Sequence, residues 1–228
     1  MRVKTLYLIL RTDRNIEESP SKLRGYIANK FGYPILHNHD GDGFLHTYPR
    51  IQYKIIEGSA FILGIEEGAD VLKEISGEIE ELKLGKRNYL VEQKIMFEQK
   101  CFIGETKNMI NYKFITPWLA LNPENYKKYR GMTGWKEKKE LLKGILVGNI
   151  LSMCKGLGVV VNKRIFPYTH LDPEKVEYKN IPMIGFTGRF RINFAIPDFF
   201  GLGKGVSQGF GVIKRNKNKR SCRSNSES

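Results

Sequence analysis

Strand-length apolar runs and helix-length apolar stripes follow one another in the order β-α-β-β-α-β over residues 1–98, and the second half partly repeats that plan. A glycine-rich stretch from Gly201 to Gly211 follows the last strand-like run. These observations predict an α+β chain of tandem ferredoxin-like (RRM-like) domains with a C-terminal glycine-rich loop. The expected organisation is 1–98, 99–213 and a basic tail at 214–228.

Val3 to Leu10 is apolar or aromatic after Lys4 and reads as a buried first strand. Arg11, Asp13 and Arg14 end the run too early for a secretory signal. Ser19-Pro20 starts a helix, with serine as N-cap and proline in the first turn. Leu23, Tyr26, Ile27 and Phe31 make its apolar stripe, and Gly32 stops it. Ile51–Ile56 and Ala60–Ile65 flank Glu57-Gly58-Ser59 as a hairpin. Ala69, Leu72 and Ile75 mark a second helix, and Leu90–Phe97 a fourth strand.

In the second half, Ile110–Ile115 is strand-like, with Pro117 closing it. Leu141, Leu142, Ile145, Leu146, Ile150 and Met153 form a helical stripe stopped by Gly156 and Gly158. Strands are expected at 159–161, 176–178, 183–186 and 190–196, and the second helix is expected to be shortened. The tail alternates Lys, Arg, Asn and Ser and is expected to be disordered.

Thirty-eight Lys and Arg against 24 Asp and Glu give a net charge of +14. That excess favours a polyanionic partner, most simply nucleic acid. No long apolar span points to a membrane. Three cysteines without C-x-x-C spacing argue against a disulfide framework or zinc cluster and for the cytoplasm.

The glycine stretch brings bare backbone N–H groups to a partner. Its spacing matches neither the nucleotide P-loop nor the dinucleotide fingerprint. Ser207-Gln208-Gly209-Phe210-Gly211-Val212 reads as an aromatic RNA-binding strand with Gln208 in place of the usual cation. Candidate RNA contacts are therefore Gly201, Gly203, Lys204, Gly205, Ser207, Gly209 and Gly211.

A second polar stretch runs from Pro34 to Tyr48 and holds His37, His39 and His46. In an extended segment His37 and His39 share a side. Three readings fit: a metal site with Asp40 and Asp42, ordinary loop histidines, or metal-free RNA scission. In the last, imidazoles act as base and acid, Lys30 offsets charge on a phosphorane, and Tyr48 donates a hydrogen bond or orients a histidine.

The series Leu23-Arg24-Gly25-Tyr26, Lys30-Phe31, Leu36-His37-Asn38-His39, Tyr48-Pro49 and Gln52-Tyr53-Lys54 resembles the archaeal and clostridial branch of CRISPR repeat-processing endoribonucleases, within the RAMP superfamily. Phe114–Asn122, Gly148–Ser152, Ile184–Phe186 and Ile196–Asp198 extend the resemblance across most of the chain. It implies metal-independent cleavage of precursor CRISPR RNA, without a cofactor, leaving a 2′,3′-cyclic phosphate and a 5′-hydroxyl. It also implies catalytic roles for His37, His39, Lys30 and Tyr48, with His39 leading. The implied partners are CRISPR repeat RNA and other CRISPR-associated subunits, with the protein a monomer or homodimer. A non-catalytic RNA-binding RAMP subunit is the alternative.

Overall fold

Strand β1 (Arg2–Thr12) occupies the centre of the first sheet because its apolar side chains serve both faces. Leu6, Leu8 and Leu10 pack towards the helices, while Val3, Tyr7 and Ile9 face the second half of the chain. The structure, a computed structural model, describes residues 1–37 and 48–216 and, at 39–40 and 43–44, the backbone alone. Lys214 and Arg215, expected to open a disordered tail, instead belong to the last strand, Ile213–Arg215, and the tail beyond Asn216 lies outside the described residues.

Helix α1 (Pro20–Phe31) begins after Ser19 and ends at Gly32, whose φ of 72° is the left-handed conformation that glycine adopts at little cost. A four-residue turn, α2 (Pro34–His37), and a small ladder of β2 (His39–Asp40) with β3 (Gly43–Phe44) lead into β4 (Ile51–Ile56). The hairpin partner β5 (Ser59–Ile65), helix α3 (Glu67–Ile75), β6 (Glu81–Leu84) and β7 (Arg87–Phe102) complete the unit. The antiparallel order is β4-β5-β1-β7-β6, a ferredoxin-like sheet with β6 added at one edge.

The second unit comprises β8 (Gly104–Trp118), α4 (Pro123–Gly131), α5 (Trp135–Gly156), β9 (Tyr168–Tyr178), β10 (Ile181–Ala195) and β11 (Ile213–Arg215). Its order, β11-β8-β10-β9, is again ferredoxin-like. The expected shortened helix is a single 3-10 turn at Val206–Gln208 within the glycine stretch. Leu142, Leu146, Ile150 and Met153 of α5 pack on Tyr112, Phe114 and Phe190 of the sheet.

Several elements differ from expectation. Residues 159–161 form no strand, and the runs expected at 183–186 and 190–196 are one strand, β10. Pro117 does not end β8, which continues to Trp118. The stretch from Ser207 to Val212 is not a strand: Gly209 and Gly211 hold positive φ there, which breaks an extended run, and β11 starts only at Ile213.

A strap at residues 198–202 joins the two units. Phe199 packs on Phe61 at 4.6 Å between ring centroids and on Tyr7 at 6.2 Å, and the Tyr7 hydroxyl donates to the Asp198 carbonyl at 3.3 Å. One apolar cluster therefore includes Val3, Tyr7, Phe61 and Leu63 of the first sheet with the core of the second. No helix among the described residues is long and apolar enough to cross a membrane.

Gly203 has φ +85°, and a Cβ there would stand 2.6 Å from Trp118 Nε1, which donates to Asn149 Oδ1 at 2.9 Å. Gly203→Val should therefore lower Tm by about 5 °C or more, read by thermal unfolding without RNA. An unchanged Tm would show that the strap tolerates a side chain at this point.

Candidate active site

Gly201 is the point where the histidine segment, strand β4 and the glycine stretch converge. Its N–H donates to Gln52 Oε1 at 3.1 Å, and its carbonyl accepts from the Tyr48 hydroxyl at 2.8 Å. Both side chains are buried. The Tyr48 ring also stacks near Phe200, with centroids 6.1 Å apart. Burial raises the Tyr48 pKa well above the ordinary phenol value, so this hydroxyl stays protonated and donating.

Alternation along β4 divides the labour. Gln52 and Lys54 share one face, and Lys54 Nζ donates to the same Gln52 Oε1 at 3.2 Å. Lys54 is fully buried, and that burial brings its pKa well below the usual lysine range. Tyr53 faces the other way, and its hydroxyl donates to the Leu36 carbonyl at 3.3 Å. The Arg24 guanidinium donates to the neighbouring His37 carbonyl. The histidine segment is thus held at its start by Tyr53 and Arg24 and at its end by Tyr48.

The predicted site residues fall as follows. His37 is half-buried at the end of α2. His39 opens β2 opposite Phe44, and its side chain lies outside the described residues, as does His46 entirely. His37 closes the helical turn α2, so the extended backbone on which His37 and His39 would share a side is not present at His37 itself, and the His39 side chain lies outside the described residues. Lys30 is exposed in the last turn of α1 and donates to the Glu78 carbonyl at 2.7 Å.

Tyr48 is not presented to solvent, since its hydroxyl is engaged with Gly201. That bond is a contact across the seam between the two units. His170 sits on β9 beside Arg189, in the second unit. Among the described residues no group of three His, Cys, Asp or Glu is placed to hold a metal ion.

The glycine stretch also differs from a bare phosphate cradle. The N–H groups of Gly201, Gly209 and Gly211 donate inside the protein, to Gln52, to the Val206 carbonyl and to the Pro117 carbonyl. These glycines serve close packing: a Cβ at Gly209 would meet Pro20 and the Tyr53 carbonyl, and one at Gly211 would collide with the Leu202 carbonyl. Gly203 and Gly205 are half-buried. The Lys204 side chain is exposed, with Nζ 5.1 Å over the Tyr178 ring, and Ser207 is half-exposed.

Sequence reasoning missed Gln52, Lys54, Tyr53 and Arg24 as a support. Polar residues alternating in a strand read as a solvent face, and nothing local to β4 signals that Gln52 and Lys54 are buried beneath a loop that lies far along the chain.

Residues 1–101 match the Cas6b N-terminal domain, and residues 104–216 match the Cas6b C-terminal domain. A crystal structure of Cas6b is similar at 34% identity and a TM-score of 0.90, covering 95% of this chain and 100% of that one. A second, a crystal structure of the CRISPR RNA processing endoribonuclease Cas6b, is similar at 32% identity and a TM-score of 0.77, with the same coverage of both chains. An uncharacterized protein of Methanocaldococcus jannaschii is 44% identical over 146 residues, which is 62% of this chain and 97% of that protein.

Two substitutions test the support. Tyr48→Phe leaves a buried carbonyl without its donor and should cost about 1–3 kcal/mol in chemical denaturation; a loss below a few tenths would show the bond to be incidental. Lys54→Met should raise Tm at neutral pH. The sign follows from the depressed folded pKa: the unfolded chain binds the extra proton, so the cost of burying Lys54 fades as pH rises towards the unfolded value of 10.5. The gain in Tm should accordingly shrink between pH 7 and pH 10, and a pH-independent gain would contradict a neutral Lys54.

Proposed function

The chain belongs to the Cas6b family of CRISPR RNA-processing endoribonucleases, and from that premise we propose that it cuts repeat RNA without a metal ion, by attack of a 2′-hydroxyl on the adjacent phosphate. The observation that carries this reading is the match to Cas6b across both ferredoxin-like units.

In the proposed reaction one histidine removes the proton of the 2′-hydroxyl, and the freed oxygen attacks the neighbouring phosphorus. A phosphorane forms, and the second group protonates the departing 5′-oxygen. The products are a 2′,3′-cyclic phosphate and a 5′-hydroxyl. His39 takes the leading acid–base role and His37 the complementary one. Lys30, exposed at the end of α1, supplies positive charge to the phosphorane. Tyr48 acts by position: its bond to Gly201 fixes the end of the histidine segment. Lys204 and Ser207 are the parts of the glycine stretch that contact RNA, while its buried glycines hold the two units together. Placing reactive groups on a segment pinned at both ends lowers the cost of aligning them with the scissile bond.

The test is incubation of the purified protein with its cognate repeat RNA in EDTA, with product ends analysed. Cutting should persist in the chelator, and His37→Ala with His39→Ala should abolish it while leaving RNA binding within about threefold. Loss of cutting on chelation, restored by Mn²⁺ or Zn²⁺, contradicts the metal-free reaction. Cutting that survives the double substitution contradicts the assigned site. Tight binding with no cutting by the unaltered protein identifies a non-catalytic subunit instead.

A further inference from the structure

The surface where β9 begins combines exposed aromatic rings with cations, in the second unit rather than in the one that carries His37 and His39. Around Tyr168 the backbone is extended: Ile165 and Thr169 are buried, while Phe166 is 51% exposed and Tyr168 57%. His170 continues the outward alternation. On the neighbouring strand Arg191 pairs in register with Tyr168, and Arg189 with His170. The Arg191 guanidinium lies 5.1 Å from the Tyr168 ring centroid, and that of Arg164 lies 5.6 Å from Phe166.

Two concavities of about 310 and 680 Å³ adjoin here, sharing Lys143 and Tyr168 in their walls. Glu140 is the acidic residue among their linings, and it pairs with Lys143 at 2.6 Å. Among the described residues, Arg164, Arg189 and Arg191 form no ion pair with a carboxylate. The strip is therefore a run of exposed rings flanked by cations that have no carboxylate partner among the described residues.

The segment carrying it is fixed in advance. Glu105 Oε1 accepts from the backbone N–H groups of Asn162 and Lys163, the latter at 2.6 Å. Asn193 accepts from the Phe166 N–H at 2.8 Å and donates to the Arg164 carbonyl at 3.0 Å. Two buttresses from β8 and β10 thus hold the rings in place, which lowers the ordering cost of binding.

We propose that this strip is an additional binding surface for single-stranded RNA, with bases stacking on Phe166 and Tyr168 and phosphates lying against Arg189 and Arg191. The proposal rests on the RNA-processing reading above and extends it to a surface outside the histidine segment and the glycine stretch. Single-stranded nucleic acid is the ligand that needs both features, because every nucleotide carries a flat base and a negative phosphate. A protein partner would have to supply a carboxylate for each arginine that it buries. Duplex RNA hides its base faces and would leave both rings unused.

The experiment compares the unaltered protein with Phe166→Ala plus Tyr168→Ala, and with Arg189→Gln plus Arg191→Gln. Kd is measured by fluorescence anisotropy for single-stranded repeat RNA and for the same RNA annealed to its complement, across a salt series. The aromatic variant should bind the single strand about 10- to 100-fold more weakly, at the scale of base stacking on protein rings, and the duplex as before. Its cleavage rate at saturating RNA should be unchanged. The arginine variant should lower the slope of log K against log salt by about 1.4 for the single strand. An unchanged Kd in the aromatic variant, with the unaltered protein still cutting, overturns the strip; equal weakening towards duplex overturns the stacking role. An unaltered protein that neither binds nor cuts repeat RNA overturns the functional reading on which the strip rests. Thermal unfolding of each variant separates these results from misfolding.

Discussion

The Gly201 peptide is the constraint on which the rest depends. Its N–H and its carbonyl are both buried, and both find partners on the first unit, Gln52 and Tyr48. A peptide group buried without such partners costs about 1–3 kcal/mol for each orphaned atom. The strap that leaves the second sheet can therefore settle on the first only in the register that satisfies this peptide. Phe199 and Phe200 flank it and bring their rings against Phe61, Tyr7 and Tyr48. Hydrogen bonds set the register, and apolar burial supplies the larger share of the stabilisation.

This arrangement also ties the glycine stretch to the histidine segment. The tyrosine that ends the histidine segment is the same residue that satisfies Gly201. The strand that starts beside it, β4, reaches back through Tyr53 to the other end of that segment. Anchoring of the histidine segment and docking of the two units are thus one network. Lys54 is part of its cost: a buried amine whose partner is the Gln52 carbonyl oxygen, which is also the acceptor for Gly201.

Much of the fold was legible because local signals agreed with one another. Ser19-Pro20 and Gly32 bound α1, and the turn at Glu57-Gly58 marks the first hairpin. In the second half, the long apolar stripe of α5 identifies the helix on which the sheet packs. Pro117 misled because proline's missing N–H is harmless wherever its place in the ladder asks nothing of it. The glycine stretch misled more deeply: its spacing suggests a ligand loop, yet much of the demand for small residues comes from Trp118, Tyr53 and Pro20, none of them close in sequence. Likewise, Gln52 and Lys54 look solvent-facing until the loop that covers them is known. Residue types singled out Lys30 and the histidines as candidates, but not what holds their segment, because the supports are long-range contacts.

The most direct measurement of the chemistry uses a repeat RNA carrying a single 2′-deoxy nucleotide at the cut position. Nucleophilic attack by the 2′-hydroxyl predicts normal binding and no cleavage at that bond, with the unmodified RNA cut to a 2′,3′-cyclic phosphate. Cleavage of the deoxy-substituted RNA at the same bond would show that another nucleophile does the work, and would contradict the roles given to His37 and His39.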